Sequence, residues 1–436
     1  SDPRRVRKRI PGRLSLTKAG QEGRLRAAFL HLHQASRPDY PPNPKPPAKT
    51  MPSFPARRLA DIAPFHVMEL MARAKALEAE GRDIIHMEVG EPDFPTPQPM
   101  LAAAQAHIAT GRVGYTAALG LPELRSTIAA FYTTRYGIDV SPSRIVVTAG
   151  ASGGLLLTMA CLAETGSQWL LTDPGYPCNR SFVRSFGGLP VGIPVGPASN
   201  FQPTLDDLER HWNRHTAGAL LASPANPTGT LLADEVLVAI ANFVRQQGGQ
   251  LIVDEIYHGL TYEREVPTAL RFGDDIFIVQ SFSKYFNMTG WRLGWLVVPE
   301  RFARAIEKLA QNLFIAPSTP AQHAALAAFA PATLSILEGR RQEFKRRRDF
   351  LAPALEKLGF RLAARPEGAF YIYANCAALT RDSDDFARQL LESAGVATTP
   401  GRDFGSNAPD KHLRFAYTTD VERLADAVDR IHRFLG

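Results

Sequence analysis

Residues 276–299 read IFIVQSFSKYFNMTGWRLGWLVVP. An apolar run ends in small polar residues, Lys284 follows, Arg292 stands eight positions later, and a second apolar run resumes at Leu293. Short, continuous apolar runs of this kind read as strands buried on both faces. The same form recurs upstream in RIVVTAG (144–150), QWLLTDPG (168–175), GALLASPANPTG (218–229) and QLIVDEIY (250–257). Helical stretches separate most of these runs: LLLTMACLA (155–163), LADEVLVAIANFVRQQG (232–248) and RFARAIEKLAQNL (301–313). Strands alternating with helices predict an α/β fold with a mostly parallel sheet covered on both faces. Functional residues of such sheets gather at the carboxyl ends of the strands. Asp173, Asn226, Asp254 and Lys284 each follow an apolar run there.

Beyond this region the pattern changes. IAPFHVMELMARAKALEAEG (62–81) reads as an amphipathic helix stopped by Gly81, followed by a short apolar run that breaks into GEPDFPTP (90–97). PQPMLAAAQAHIAT (97–110) starts a helix, and GYTAALGLPELRSTIAAFYTTRYG (114–137) gives a loop and another. From 331, EGRRQEFKRRRDFLAPALEKLGF (338–360) reads as a charged helix with a solvated face. GAFYIYANC and HLRFAYT read as strands, and DDFARQLLESAGV and VERLADAVDRIHRFLG as helices. The expected division is a tail at 1–50, a segment at 51–98 joining a small domain, a large domain at 99–330 and a small α+β domain at 331–436. A chain of 436 residues suits one large domain with a smaller companion.

The net charge of +7 is misleading until it is located. Residues 1–50 hold 12 Lys+Arg against 3 Asp+Glu, a local +9, so the remainder carries −2. The body therefore lacks the basic footprint of a nucleic-acid binder, and no nucleic-acid partner is expected. Eight prolines fall in those fifty residues, which predicts a tail without regular structure. Three readings of it stand: a bland tail, a segment translated upstream of a start at Met51 (the first methionine), or an organelle-targeting presequence. No stretch has 18 apolar residues free of charge, so no membrane span is expected. Three cysteines without metal-like spacing fit a reducing, cytoplasmic setting.

Lys284, alone, could be a surface lysine at a strand end. Beside Ser281, Ser283 and Arg292 it sits where one aldehyde and one phosphate would use all four, the lysine as a Schiff base and the arginine as a planar fork. Asp254 follows four apolar residues and would need a cation if buried. A protonated pyridine nitrogen is one such cation, and a helix N-cap is the plainer alternative. Asn226, in a turn-like NPTG, and Tyr257 could both reach a ring hydroxylate. The helix-start amides at Ala151 and Ser152 could cradle phosphate, although small residues there also suit close packing. Tyr176 could lie flat over a bound ring or fill core. Arg414, entering a short strand, could take a carboxylate or form a surface salt bridge.

Taken together, SFSKYFNMTGWRLG, GEPDFPTP, GYTAALG, SPANPTG and DEIY resemble, in kind and in order, the fold-type-I aminotransferases of the class I/II, aspartate aminotransferase-like group. The resemblance spans about residues 55–436. It implies the three-layer fold of the transferases dependent on pyridoxal 5'-phosphate (PLP), with a mostly parallel central sheet and a smaller α+β domain, and PLP covalently bound to Lys284, which also carries the proton. It further implies that Asp254 pairs with the pyridine nitrogen and that Asn226 and Tyr257 contact the ring hydroxylate. Ser281, Ser283, Arg292, Ala151 and Ser152 would hold phosphate, and Tyr176 would stack on the ring. Arg414, helped by backbone near Gly90, would bind the α-carboxylate. Tyr115 would reach the phosphate of the neighbouring subunit, making a homodimer with shared sites. The implied activity moves an amino group from an L-amino acid to a 2-oxoacid by a ping-pong mechanism. A PLP-dependent carbon–sulfur β-lyase and a PLP-binding transcriptional regulator are the alternatives. The donor side chain is open: the helix from Ile62 to Leu77 and the 312–320 loop are expected to line its pocket, with Phe65 and Phe314 either in that pocket or in core.

Overall fold

The computed structural model describes residues 56–62, 64 and 66–436. The tail, Met51 and Phe65 lie outside them, and so do the expectations attached to them. Among the described residues, twelve strands form three sheets. They are β1 (Ile85–His86), β2 (Ile145–Thr148), β3 (Gln168–Asp173), β4 (Leu189–Pro194), β5 (Thr216–Ala222), β6 (Gln250–Asp254), β7 (Phe277–Ser281), β8 (Gly294–Val297), β9 (Tyr371–Asn375), β10 (Val396–Ala397), β11 (Thr399–Pro400) and β12 (His412–Ala416). The large sheet runs β2-β8-β7-β6-β5-β3-β4. It is parallel from β7 to β4, while β8 is antiparallel to both its neighbours. The smaller sheets are β11-β12-β9, antiparallel, and β1-β10, parallel.

The apolar runs are continuous because successive residues feed two different cores. Leu251 and Val253 of β6 join one core, and Ile252 between them joins the other. In β7, Ile278 points into the first core while Phe277 and Val279 point into the second. Side chains alternate across a strand, so a strand apolar at every position needs cover on both faces. The helices supply it. In chain order they are α1 (His66–Ala79), α2 (Gln98–Ala109), α3 (Pro122–Tyr136), α4 (Gly150–Leu162), α5 (Cys178–Ser185), α6 (Leu205–His211), α7 (Asp234–Gln246), α8 (Glu300–Leu313), α9 (Thr319–Leu326), α10 (Pro331–Lys357), α11 (Ser383–Gln389) and α12 (Val421–Leu435). Buried residues of α3 and α7 pack in the first core, those of α4, α5 and α8 in the second. This is the three-layer α/β architecture that the sequence predicts.

Three differences have physical causes. Strand β4 is unforeseen because LPVGIP carries two prolines and a glycine; it lies at the sheet edge, where a missing donor is tolerated. Helix α1 begins at His66 and not at Ile62, since its first amides are met by a distant residue: the Asp403 carboxylate accepts from His66 N and Val67 N, both at 2.9 Å. The charged helix α10 is not simply a solvated surface. Arg347 is 3% exposed and Arg348 is fully buried, the latter paired with Glu263 and lying over the Tyr262 ring at 4.7 Å.

Candidate active site

A cavity of about 350 Å³ opens at the carboxyl ends of the large sheet's strands. Asp254 and Ser281 are the last residues of β6 and β7, Asn226 and Tyr176 lie just past β5 and β3, and Ala151 and Ser152 start α4. Of the thirteen residues to which the resemblance gives a catalytic, cofactor or substrate role, twelve line this one space; Tyr115, which is 85% exposed, does not.

One end of the cavity is a cradle. Gly150 has φ +69°, and a Cβ there would stand 2.6 Å from Arg292 Nη2, so only glycine lets the guanidinium approach the start of α4. Gly294 does the same for β8: a Cβ would lie 2.9 Å from the Ala151 amide nitrogen and 2.6 Å from the Gln280 carbonyl. Arg292, itself at φ +53°, donates to the Thr289 carbonyl at 3.0 Å and reaches Ser283 Oγ at 3.5 Å. Helix-start amides, two serine hydroxyls and a guanidinium meet here, a donor set suited to a phosphate dianion.

Lys284 occupies the middle. Its Nζ donates to the Gly90 carbonyl at 2.6 Å and lies 5.7 Å from the ring centres of both Tyr257 and Phe370. Burial, and then the Arg414 and Arg292 charges, lower its pKa to about 8, against the pull of Glu91. Asp254 is 4% exposed, and burial raises its pKa to about 6 although Oδ1 accepts from Ile256 N at 3.1 Å. Lys284 only partly offsets this burial, and a protonated ring nitrogen would supply Asp254 with a paired cation.

Arg414 closes the other end. Its Nη1 donates to Asn226 Oδ1 at 3.0 Å, and Nη2 donates to the Glu88 carbonyl and, at 3.2 Å, to Thr399 Oγ1. The guanidinium stacks on Tyr371 at 4.4 Å. Tyr371 is a site residue that the sequence reading missed. Its hydroxyl shares a 2.8 Å hydrogen bond with that of Tyr257, and a Cβ on Gly90 would fall 2.2 Å from it, so Gly90 must be glycine. In FYIYAN nothing but strand alternation hinted that Tyr371 faces the site. Burial raises the pKa of Tyr257 well above the ordinary tyrosine value, keeping that hydroxyl a proton donor. Asp173, although at a strand end, serves the fold: it accepts from Ser406 N and Oγ at 3.0 and 2.8 Å and from Asn407 N at 3.2 Å. Apolar side chains also line the cavity: Val67, Met68 and Met71 from α1, Leu155 from α4, and Ile256 beside Asp254. Phe314 does not line it and packs instead against α4.

Fold and cavity together define a transferase built around PLP. The chain belongs to the aminotransferase class I and II family, whose profile matches residues 82–431. A valine–pyruvate aminotransferase of Mycobacterium tuberculosis is 38% identical over 378 residues, covering 86% of this chain and 97% of the relative. A (5-formylfuran-3-yl)methyl phosphate transaminase of Methanocaldococcus jannaschii is 34% identical, covering 87% and 99%. The crystal structure of an aminotransferase from Mycobacterium tuberculosis superimposes with a TM-score of 0.84 at 38% identity, over 87% of this chain and 98% of that one. The protein is thus an enzyme, a PLP-dependent aminotransferase working by a ping-pong mechanism. No helix among the described residues is long and apolar enough to cross a membrane.

Proposed function

We propose that PLP is held covalently by Lys284 and that the enzyme moves the amino group of a neutral, aliphatic L-amino acid to a small 2-oxoacid. The observation that carries this reading is the meeting of Lys284, Asp254, Arg292 and Arg414 in one cavity. When bound, PLP supplies an aldehyde that exchanges amines and a ring that draws electrons from the substrate Cα. Arg292, Ser281, Ser283 and the amides of Ala151 and Ser152 take its phosphate. Asp254 would keep the ring nitrogen protonated, and Asn226 and Tyr257 would hydrogen-bond the ring hydroxylate. Tyr176, which lines the cavity, would hold the ring in place. Arg414 and the backbone at Gly90 take the donor's α-carboxylate, which orients Cα towards Lys284. Lys284 Nζ would take the proton from the donor's Cα and hold it within the cavity for return; an amine with a pKa near 8 is matched to that exchange.

The donor class is supported by the apolar side chains that α1 brings to the cavity, Val67, Met68 and Met71. The only cations lining the cavity among the described residues, Lys284, Arg292 and Arg414, all have other roles. The name of the M. tuberculosis relative points the same way. A homodimer, with Tyr115 reaching the neighbouring subunit's phosphate, is part of the proposal and is supported by the exposure of Tyr115 beside exposed Val113. The domain division at 98 and 330 and a cytoplasmic location complete it, the latter supported by free thiols at Cys161, Cys178 and Cys376.

Two-substrate initial rates test the reading. Valine with pyruvate is expected to give parallel double-reciprocal lines and stoichiometric oxoacid in the absence of acceptor. Oxoacid formed catalytically without any acceptor, with release of ammonia and of thiol from a sulfur-bearing donor, would instead support the lyase. Arg414→Met is expected to lower kcat/KM for the donor by about 10²–10³-fold, mainly through KM. An unchanged KM for every donor would remove Arg414 from the carboxylate site.

A further inference from the structure

The arginine-rich face of α10 meets the segment Glu91–Pro97, which follows Gly90. Arg347 Nη1 and Nη2 donate to Asp93 Oδ1 and Oδ2 at 2.8 and 2.9 Å, a bidentate pair. Arg340, two helical turns earlier and on the same face, donates from Nη1 to the Pro95 carbonyl at 2.6 Å and to Asn287 Oδ1 at 2.7 Å. The two guanidinium groups lie 5.2 and 4.9 Å from the Phe94 ring centre. The segment needs such support. It has no helix or strand of its own, and Pro92, Pro95 and Pro97 remove three amide donors. One flank borders a cavity of about 490 Å³, lined by Phe94, Thr96, Asn287 and Trp291 among others.

Arg340 also joins this segment to the turn that bears Lys284. Asn287 N and Nδ2 both donate to the Lys284 carbonyl, at 3.2 and 3.1 Å. Thr96 Oγ1 donates to the Asn287 carbonyl at 2.9 Å and accepts from Trp291 Nε1 at 2.9 Å. The loop and the turn therefore share one hydrogen-bonded seam, with the Gly90 carbonyl on Lys284 Nζ at one end and Arg340 at the other.

We propose that Arg340 and Arg347 are positioning residues: from α10 they set the Gly90 loop against the Lys284 turn, and so govern capture of the donor's carboxylate rather than retention of PLP. The proposal rests on the reading of Gly90 and Arg414 as the carboxylate site. It gives a role to RRQEFKRRR beyond solvation, since neither arginine reaches the cavity itself.

The test uses the full-length, PLP-loaded enzyme and the variants Arg340→Met, Arg347→Met and Asp93→Asn. Donor KM, kcat, the inhibition constant of 3-methylbutanoate (a carboxylate without an amine), the PLP dissociation constant and the melting temperature are measured. KM and the inhibition constant are expected to rise together by about ten- to a hundredfold. The PLP dissociation constant should stay within about twofold. Asp93→Asn removes only the outer half of the pair, so it keeps the test usable if the buried Arg347 site does not tolerate methionine. The double variant Asp93→Asn/Arg347→Met should be no worse than Arg347→Met alone. Variants with unchanged KM and inhibition constant, or with PLP affinity lost in step with KM, would overturn the proposal. Failure of the unaltered enzyme to bind 3-methylbutanoate would overturn the carboxylate reading instead.

Discussion

Lys284→Ala is expected to lower kcat by about 10³–10⁴-fold or more while PLP still binds through its phosphate. The side chain has two duties, covalent attachment and proton transfer, and none of the other cavity residues can take over both. Its nearest polar contact is the Gly90 carbonyl, an acceptor that cannot move a proton, and the Tyr257 hydroxyl is paired with Tyr371. Single-turnover conversion of a donor to its oxoacid is the measurement. Retention of full turnover would mean that the proton moves through a different group.

Asp254→Asn is expected to separate stability from activity. In the cofactor-free protein the Asp254 pKa is about 6, against an ordinary 3.8, because the carboxylate is buried. Its raised folded-state pKa favours folding below about pH 4, and that contribution is lost as pH rises through 6. Above pH 6 the buried charge therefore costs up to about 3 kcal/mol until a cation arrives. Asparagine keeps the acceptor for Ile256 N and carries no charge, so the cofactor-free variant should melt at or above the temperature of the unaltered protein at pH 8. At pH 4 the advantage should vanish. Activity should move the other way: without the carboxylate the ring nitrogen loses its proton, and kcat should fall by about 10²–10³-fold. For the unaltered protein the same titration predicts weaker PLP binding below pH 6. A variant that melts earlier at pH 8 and keeps its activity would remove Asp254 from the ring-nitrogen role.

The parts of this architecture that were legible in the sequence are those that local physics dictates. LIVD and FIVQS had to be buried strands, because runs without alternation cannot face water on either side. Polar residues at their ends had to sit at the strand termini, where Asp254 and Ser281 are found. What the sequence concealed depends on distant contacts. Tyr371 enters the site only because β9 lies beside β12, which brings its hydroxyl to Tyr257 across 114 positions. Arg347 looked solvated because its partner, Asp93, is 254 residues away. The start of α1 was misplaced for the same reason: its N-terminal amides are met by Asp403, over 330 positions on, and no local capping residue announced it. Asp173 shows the converse error, a strand-end acid that promised chemistry and instead fastens the 405–407 loop.

The most direct test of the central claim is the visible absorbance of the purified enzyme, first with PLP and then with single amino acids. The expected result is a band from cofactor bound to Lys284, its conversion to the aminated form by valine and other neutral aliphatic donors, and its recovery on adding a 2-oxoacid. A band that no amino acid shifts, or a shift that no oxoacid reverses, would contradict it.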